Sequence, residues 1–320
     1  MTQALATIPG ASVEQYEAPL FIAWQINAEC NLNCFHCCEE AGMAFPDQMS
    51  KAQMLDLCAQ IVKAQIPYVA LSGGEPLICP HFWDVLEYLR KNNVSVKIET
   101  NGEFIDEKVA RRLGALTLRS VQISMDGATA KSHEALRERG NWQKVIRACK
   151  LLRDTSANIE IVFVPTRFNI HEVGEAVDLA ASLQAHGFYT GKLMRIGRAA
   201  QNWQKLCPSD DQYREFFAVL EQKKALYLGR MKVFNYPYDV IEELRYRLEA
   251  PAASLLVLPN GKVKLIGPLP FICGDVTVMP LTQVWRNYKK AWKDKRVTEF
   301  ASRVLKNPAL VAEANRWREL

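Results

Sequence analysis

Between residues 21 and 194 the hydrophobic positions switch period repeatedly. Short β-rich apolar runs at 21–27, 67–72, 94–99, 120–124, 159–164 and 188–194 predict strands. Between them, apolar residues recur three and four apart over 50–65, 81–92, 106–113, 141–153 and 171–186, which predicts helices. In the first of these Met54, Leu55, Cys58, Ile61 and Val62 share one face, and Ser50 stands where an N-cap is needed. Six strand–helix repeats in this order predict a parallel sheet with helices outside, an α/β partial (β/α)6 TIM-like barrel. On that scaffold the chemistry belongs in the loops that follow the strands.

After residue 199 the rhythm changes. A helical pattern at 210–224 leads to a hairpin pattern at 255–265 turning at Pro259-Asn260-Gly261, then to an apolar stretch at 265–274 and two basic helical segments. The expected organisation is an N-terminal extension at 1–20, the partial barrel at 21–199, and a smaller α+β C-terminal module at 200–320.

Composition narrows the class. Of the 320 residues, 49% are hydrophobic and 23% charged, which suits a globular chain with a substantial core. No uncharged run is long enough to span a membrane, and residues 1–17 lack the basic and apolar regions of a secretory signal, so a cytoplasmic protein is expected. The net charge of +5 conceals an asymmetry: six acidic residues precede the first basic one, Lys51, whereas the chain from Trp285 onward carries ten basic residues against four acidic. The basic tail suits an acidic partner or a solvated helix face, and nothing else suggests nucleic acid.

Nine cysteines in a cytoplasmic chain point to metal or reactive thiols rather than to disulfides. Four of them, Cys30, Cys34, Cys37 and Cys38, fall in one short segment directly after the first strand; the rest are single. Thiolates at 30, 34 and 37 suit three corners of a cuboidal iron–sulfur cluster, leaving the fourth iron open to a chelating small molecule. A zinc site using Cys38 or His36 and a reactive cysteine patch are the alternatives. The next strands end in Ser72-Gly73-Gly74-Glu75-Pro76, in Glu99-Thr100-Asn101-Gly102, and in Ser124-Met125-Asp126-Gly127 with His133 and Arg137 beyond. Each alone reads as a turn. Their shared placement, after successive strands at one sheet edge, predicts a site.

Together these segments resemble the radical S-adenosylmethionine (radical SAM) superfamily, whose three-cysteine signature carries an aromatic residue before the last cysteine, here His36. The resemblance implies a 4Fe–4S cluster on Cys30, Cys34 and Cys37. It also implies S-adenosylmethionine (SAM) on the open iron, cleaved reductively to a 5′-deoxyadenosyl radical that removes hydrogen from a substrate. It further implies that Gly73, Gly74 and Glu75 hold the methionine amino group and that Ser124 and Arg137 hold its carboxylate. Thr100, Asn101 and Asp126 would lie on the ribose side, and the backbone at His36, with Val164 and Leu193, would border adenine. Cys38 has no role in the signature.

The C-terminal stretch resembles the extension called SPASM, or its shorter twitch form, through Gly197-Arg198-Ala199, Leu258-Pro259-Asn260-Gly261 and Gly274-Asp275. Where that extension places an auxiliary-cluster cysteine this chain has Ile266, so one cluster is expected. Cys273 is then a candidate hydrogen-atom donor or a buried small hydrophobe. Such relatives imply a peptide or natural-product substrate, with redox-neutral chemistry such as epimerisation or decarboxylation. Sugar, nucleoside, aminoglycoside or tetrapyrrole tailoring is the alternative, and a non-catalytic metal protein the remote one. A flavodoxin or ferredoxin is the expected reductant; no nucleic acid or membrane is expected as a partner.

Overall fold

The computed structural model describes residues 13–137 and 142–320; the first part of the expected 1–20 extension, and Asn141 at the head of one expected helix, lie outside the described residues. Eleven strands are described: β1 Phe21–Asn27, β2 Tyr68–Gly73, β3 Ser95–Thr100, β4 Ser120–Ser124, β5 Ile159–Phe163, β6 Gly187–Thr190, β7 Lys232–Asn235, β8 Ser254–Val257, β9 Lys262–Lys264, β10 Phe271–Asp275 and β11 Arg318–Glu319. They form one sheet in the order β11-β10-β9-β8-β1-β2-β3-β4-β5-β6-β7.

From β8 through β1 to β7 every neighbouring pair is parallel, while β9 runs antiparallel to both β8 and β10. The parallel run therefore extends beyond the six expected strands, with one added at each side by segments that follow residue 199. The end strands of the sheet are β7 and β11, so it stays open, as a partial barrel does. The antiparallel pairing of β8 with β9 matches the expected hairpin, the two strands being joined through the Leu258–Gly261 turn, where Gly261 adopts φ +82°.

The two faces of the sheet differ in what they bury. On β1 all seven residues are buried, the mark of a parallel strand covered on both sides. Ile22, Trp24 and Ile26 join the large core beneath the helices, whereas Phe21 and Ala23 pack on the other face with Tyr68, Ala70 and Leu256. Small residues at 23 and 70 leave room there.

The helices follow from their caps and stripes. Ser50 caps Lys51–Lys63 in a box with Gln53, and this helix buries Met54, Leu57, Cys58 and Ile61, so Leu57 takes the inward place expected of Leu55. Phe82–Lys91, Glu107–Ala115, Trp142–Arg153 and Val173–Ser182 repeat the pattern on the same layer. Besides the one-turn helices Arg198–Gln201 and Trp203–Leu206, two longer helices went unforeseen. Ala130–Arg137 is short and polar, and Val240–Glu249 is set by a capping box between Asp239 and Glu242. The expected strand at 188–194 ends at Thr190, after which Leu193 N–H turns to donate to the Tyr213 hydroxyl. Among the described residues no helix is long and apolar enough to cross a membrane.

Candidate active site

Strands β1 to β4 bring their polar C-terminal segments to one edge of the sheet. The loop after β1 carries Cys30, Cys34, Cys37 and Cys38, all half-buried and unpaired. Its backbone is clasped from several directions. Phe35 N–H donates to Leu136 O at 2.9 Å, and Arg198 N–H donates to Cys37 O at 2.9 Å. The Arg198 guanidinium adds bonds to Cys34 O and Ala41 O, both at 2.9 Å, and Asn315 donates to Cys38 O at 2.8 Å.

The glycines after β2 have a structural reason as well as a ligand-binding one. A Cβ on Gly74 would lie 1.9 Å from Glu29 O, and one on Gly73, at φ +131°, 2.3 Å from Asn27 O. Only a bare backbone lets the cysteine loop lie this close to β2.

Glu75 is fully buried and points inward. Its carboxylate accepts from Thr100 Oγ1 at 2.7 Å, Leu77 N at 3.1 Å and Asn101 N at 2.8 Å. Burial raises its pKa to about 7, and those hydrogen bonds oppose the rise. The side chains expected at the ammonium and ribose ends, Glu75 and Thr100, thus bond each other. Asn101 reaches the other way, donating to Asn31 Oδ1 in the cysteine loop at 2.8 Å.

Asp126 is the hub of the edge. One oxygen takes Arg137 Nε at 2.9 Å and Nη2 at 2.6 Å, together with His36 Nε2 at 3.0 Å. Its other oxygen accepts from Val164 N at 2.9 Å. Burial disfavours the charge, but the adjacent Arg137 and then His36 outweigh it and hold this carboxyl well below the usual range. His133 donates no positive charge here: burial, then Arg137, pull its pKa down to about 3, and its Nδ1 accepts from Asp126 N. Asn169, singled out by nothing in the sequence, ties Asp126 O to Val164 O.

Arg137 therefore spends two donors on Asp126, while Nη1 lies 3.7 Å from Cys34 Sγ. Ser124 ends β4 half-buried. Val164 and Leu193 meet in a small apolar cluster with Leu136, Ala199 and Leu206. His36 side chain, and not only its backbone, takes part: it is buried, and its Nδ1 has no partner.

Below this edge the inner face holds a cavity of about 400 Å3, bordered by Gln25, Cys38, Ser72, Met194, Tyr236 and Lys264 among others. Cys273 is not part of its lining. That thiol is buried in the core, bonded to Val263 O at 3.3 Å, and burial pushes its pKa to about 12. The thiol that does border the cavity is Cys38. Its neighbour Glu39 also lines the wall, and adjacency to a cluster signature was the only sequence signal for either.

The donor chemistry fits a cluster. Burial raises the Cys30 thiol to about 11 against the opposing Leu32 N–H, with Cys34, Glu75 and Cys37 adding to the rise, so the three thiols lie near enough to feel one another. Among the described residues no three His, Cys, Asp or Glu side chains converge on a point that holds a single ion. A cuboidal cluster asks for something else, each thiolate on a separate iron.

An open, mainly parallel sheet with a three-cysteine loop at the end of its first strand is an arrangement suited to an enzyme domain that holds an iron–sulfur cofactor. Residues 24–180 match the profile of the Radical SAM superfamily, and this stretch is a radical SAM superfamily domain. The superfamily implies SAM and a 4Fe–4S cluster. The chain is 35% identical over 216 residues to the mycofactocin maturase MftC of Mycobacterium tuberculosis, covering 66% of this chain and 55% of that protein. It thus spans about half the length of that relative. It is 24% identical over 290 residues to the AdoMet-dependent heme synthase of Methanosarcina barkeri, covering 84% of this chain and 83% of that one. Its fold is similar to that of Streptococcus suis SuiB bound to S-adenosylmethionine, with a TM-score of 0.69 at 14% identity, over 87% of this chain and 66% of that one.

Proposed function

We propose that this protein is a radical SAM enzyme that uses one 4Fe–4S cluster, held by Cys30, Cys34 and Cys37, to act on a peptide in the cavity beneath. The observation that carries this reading is the cysteine loop standing at the sheet edge directly above that cavity, with Cys38 and Glu39 in its wall. When bound to the reduced cluster, SAM would supply a 5′-deoxyadenosyl radical that abstracts hydrogen from substrate carbon.

The chain's own residues have the following parts. Arg198 and Asn315 hold the cysteine loop by its carbonyls. Ser124 and the Nη1 of Arg137 take the SAM carboxylate, the guanidinium being oriented by Asp126. The backbone of Gly73, Gly74 and Glu75 takes the ammonium, with the Glu75 side chain spanning Thr100 and Asn101 to brace that turn. Asn101 and Asp126 border the ribose, and the His36 backbone, Val164 and Leu193 border adenine.

We assign residues 200–320 to a SPASM- or twitch-like extension without an auxiliary cluster, its β8 and β7 drawn into the sheet of the barrel at 21–199. Its two cysteines, Cys207 and Cys273, cannot complete a four-thiolate site. With no second cluster to take an electron, a redox-neutral outcome such as epimerisation or decarboxylation is the reaction class. The reductant is a flavodoxin or ferredoxin, and nine cysteines without a disulfide support a cytoplasmic setting. The peptide assignment is supported by relatives named as maturases and by SuiB, described bound to its precursor peptide SuiA. The long match to heme synthases favours a second reading, tetrapyrrole side-chain modification.

Anaerobic reconstitution tests the proposal. About four iron and four sulfide per chain are expected, with 5′-deoxyadenosine formed from SAM and dithionite by the wild type and not by Cys34→Ala. Twice that iron would overturn the single cluster, and an intact cluster without SAM cleavage would overturn the activity.

A further inference from the structure

Four lysines and arginines are buried among the described residues: Lys97, Arg137, Arg247 and Lys264. Long cationic side chains are almost never buried unless paired, because an ammonium leaving water loses several kcal/mol of hydration. Three of the four obey that rule. Lys97 Nζ has Glu160 at 3.1 Å and Glu99 at 3.7 Å. Arg137 has Asp126 at 2.6 Å, and Arg247 has Glu243 at 2.6 Å.

Lys264 is the exception. It is as buried as Lys97, at 3% against 2% exposed. Its polar partner is a neutral amide, Asn315 Oδ1, at 3.2 Å, and no carboxylate lies within 4.0 Å of its nitrogen among the described residues. It stands on β9 and lines the cavity, flanked by Cys38 and Glu39 from the cysteine loop. The other cations of the wall are satisfied: Lys192 faces Asp239 at 3.4 Å, and Arg247 holds Glu243. Burial pulls the Lys264 pKa down to about 8, against the opposing pull of Glu39, Cys38 and Glu40, so the ammonium form still prevails at neutral pH.

From this geometry we infer that Lys264, steadied by Asn315, is an anion subsite of the cavity and takes a carboxylate of the substrate. The inference deepens the reading above and rests on it for the cavity being the substrate site. A carboxylate is favoured over a phosphate group by charge. One unpaired cation matches a monoanion, whereas Glu39 beside it, a wall carboxylate with no cation within 4.0 Å among the described residues, opposes a dianion. Apolar wall residues such as Phe21, Ala23, Leu256 and Tyr288 suit a hydrocarbon or aromatic stem behind that carboxylate. For a peptide this means a C-terminal carboxylate or an acidic side chain; for a tetrapyrrole, a propionate.

Calorimetric titration of the reconstituted full-length chain with SAM tests this, using 3-phenylpropionate and its uncharged amide as probes. The wild type should bind the acid about tenfold or more tightly than the amide, the size expected of a charge-assisted hydrogen bond in a dry site. Lys264→Met should bind acid and amide alike, and Lys264→Arg should keep the preference. Because each protein is read as a ratio of two ligands, a general loss of packing does not imitate the result. The wild-type ratio stands as a test even if the methionine variant fails to fold. Equal binding of acid and amide by the wild type, or an undiminished preference in Lys264→Met, would overturn the subsite. Tighter binding of 2-phenylethylphosphonate than of the carboxylate would overturn the choice of anion. None of these readings depends on SAM cleavage, so failure of deoxyadenosine formation would refute the activity and leave the subsite standing.

Discussion

The rim of the sheet and the cavity beneath it handle buried charge in opposite ways. At the rim, Asp126 is fully enclosed yet meets Arg137, His36 and a backbone N–H, and Glu75 meets three donors. In the cavity, Lys264 is enclosed to the same degree and meets an amide. Satisfied buried ions lock geometry, since moving any member strands the others at a cost of several kcal/mol. An ion left short of a counter-charge stores that cost until a ligand relieves it. The difference separates what holds the cofactor loop from what awaits a substrate.

Asp126→Asn strikes the comparison hardest. It leaves Arg137 and His36 facing a neutral amide, and breaking one side of a buried ion pair costs about 3–5 kcal/mol. Urea unfolding should show that loss; a change under about 1 kcal/mol would mean the rim is hydrated and not locked.

The cavity side is read through pH. The folded pKa of Lys264, about 8, lies below the ordinary 10.5. Between those values the unfolded chain holds a proton that the folded chain has released. Stability from this group therefore rises with pH across that window, by up to about 3 kcal/mol. Its neighbours Glu39 and Glu40, which favour the charged form, limit the size of the effect. Lys264→Met should flatten the slope, seen as the difference between the two urea midpoints from pH 7 to 10.

Gly197→Ala probes how tightly the cysteine loop is clasped. Gly197 adopts φ +58°, and a Cβ there would lie 2.4 Å from Cys38 O. A penalty of about 1–3 kcal/mol is expected, with less iron retained after reconstitution. Full iron content at wild-type stability would show that the clasp is slack.

The smallest effect belongs to Cys273→Ala. A buried thiol outside the cavity should cost about 1 kcal/mol and leave 5′-deoxyadenosine yield within about twofold of wild type. A tenfold drop in that yield would return this thiol to the reaction.

Much of this was legible in the chain. Strand and helix periods, the Ser50 and Asp106 caps, and the three cysteines are local signals, and local chemistry survives translation into three dimensions. One parallel strand, β7, was missed because its four residues are too short for a period to stand out, and β8, expected as a hairpin arm, pairs with β1 through a contact no local pattern encodes. The helix at Ala130–Arg137 was missed because its polar sequence carries a single apolar anchor, Leu136. That Cys38 borders the cavity while Cys273 lies outside its lining was illegible for a related reason. Which side of a strand meets a cavity depends on how distant strands curl together.

The sequence by itself determined the period of each element, the spacing of the cluster thiols and the polar residues waiting at the strand ends. Tertiary structure alone decided which of those residues bond one another. Arg137 turns to Asp126, Glu75 turns inward to Thr100, Arg198 reaches across the chain to the cysteine loop, and Lys264 is left without a carboxylate among the described residues. The reason is physical: helix and strand periods arise between neighbours in sequence, whereas charge is settled by distance and burial, which exist only once the sheet has assembled.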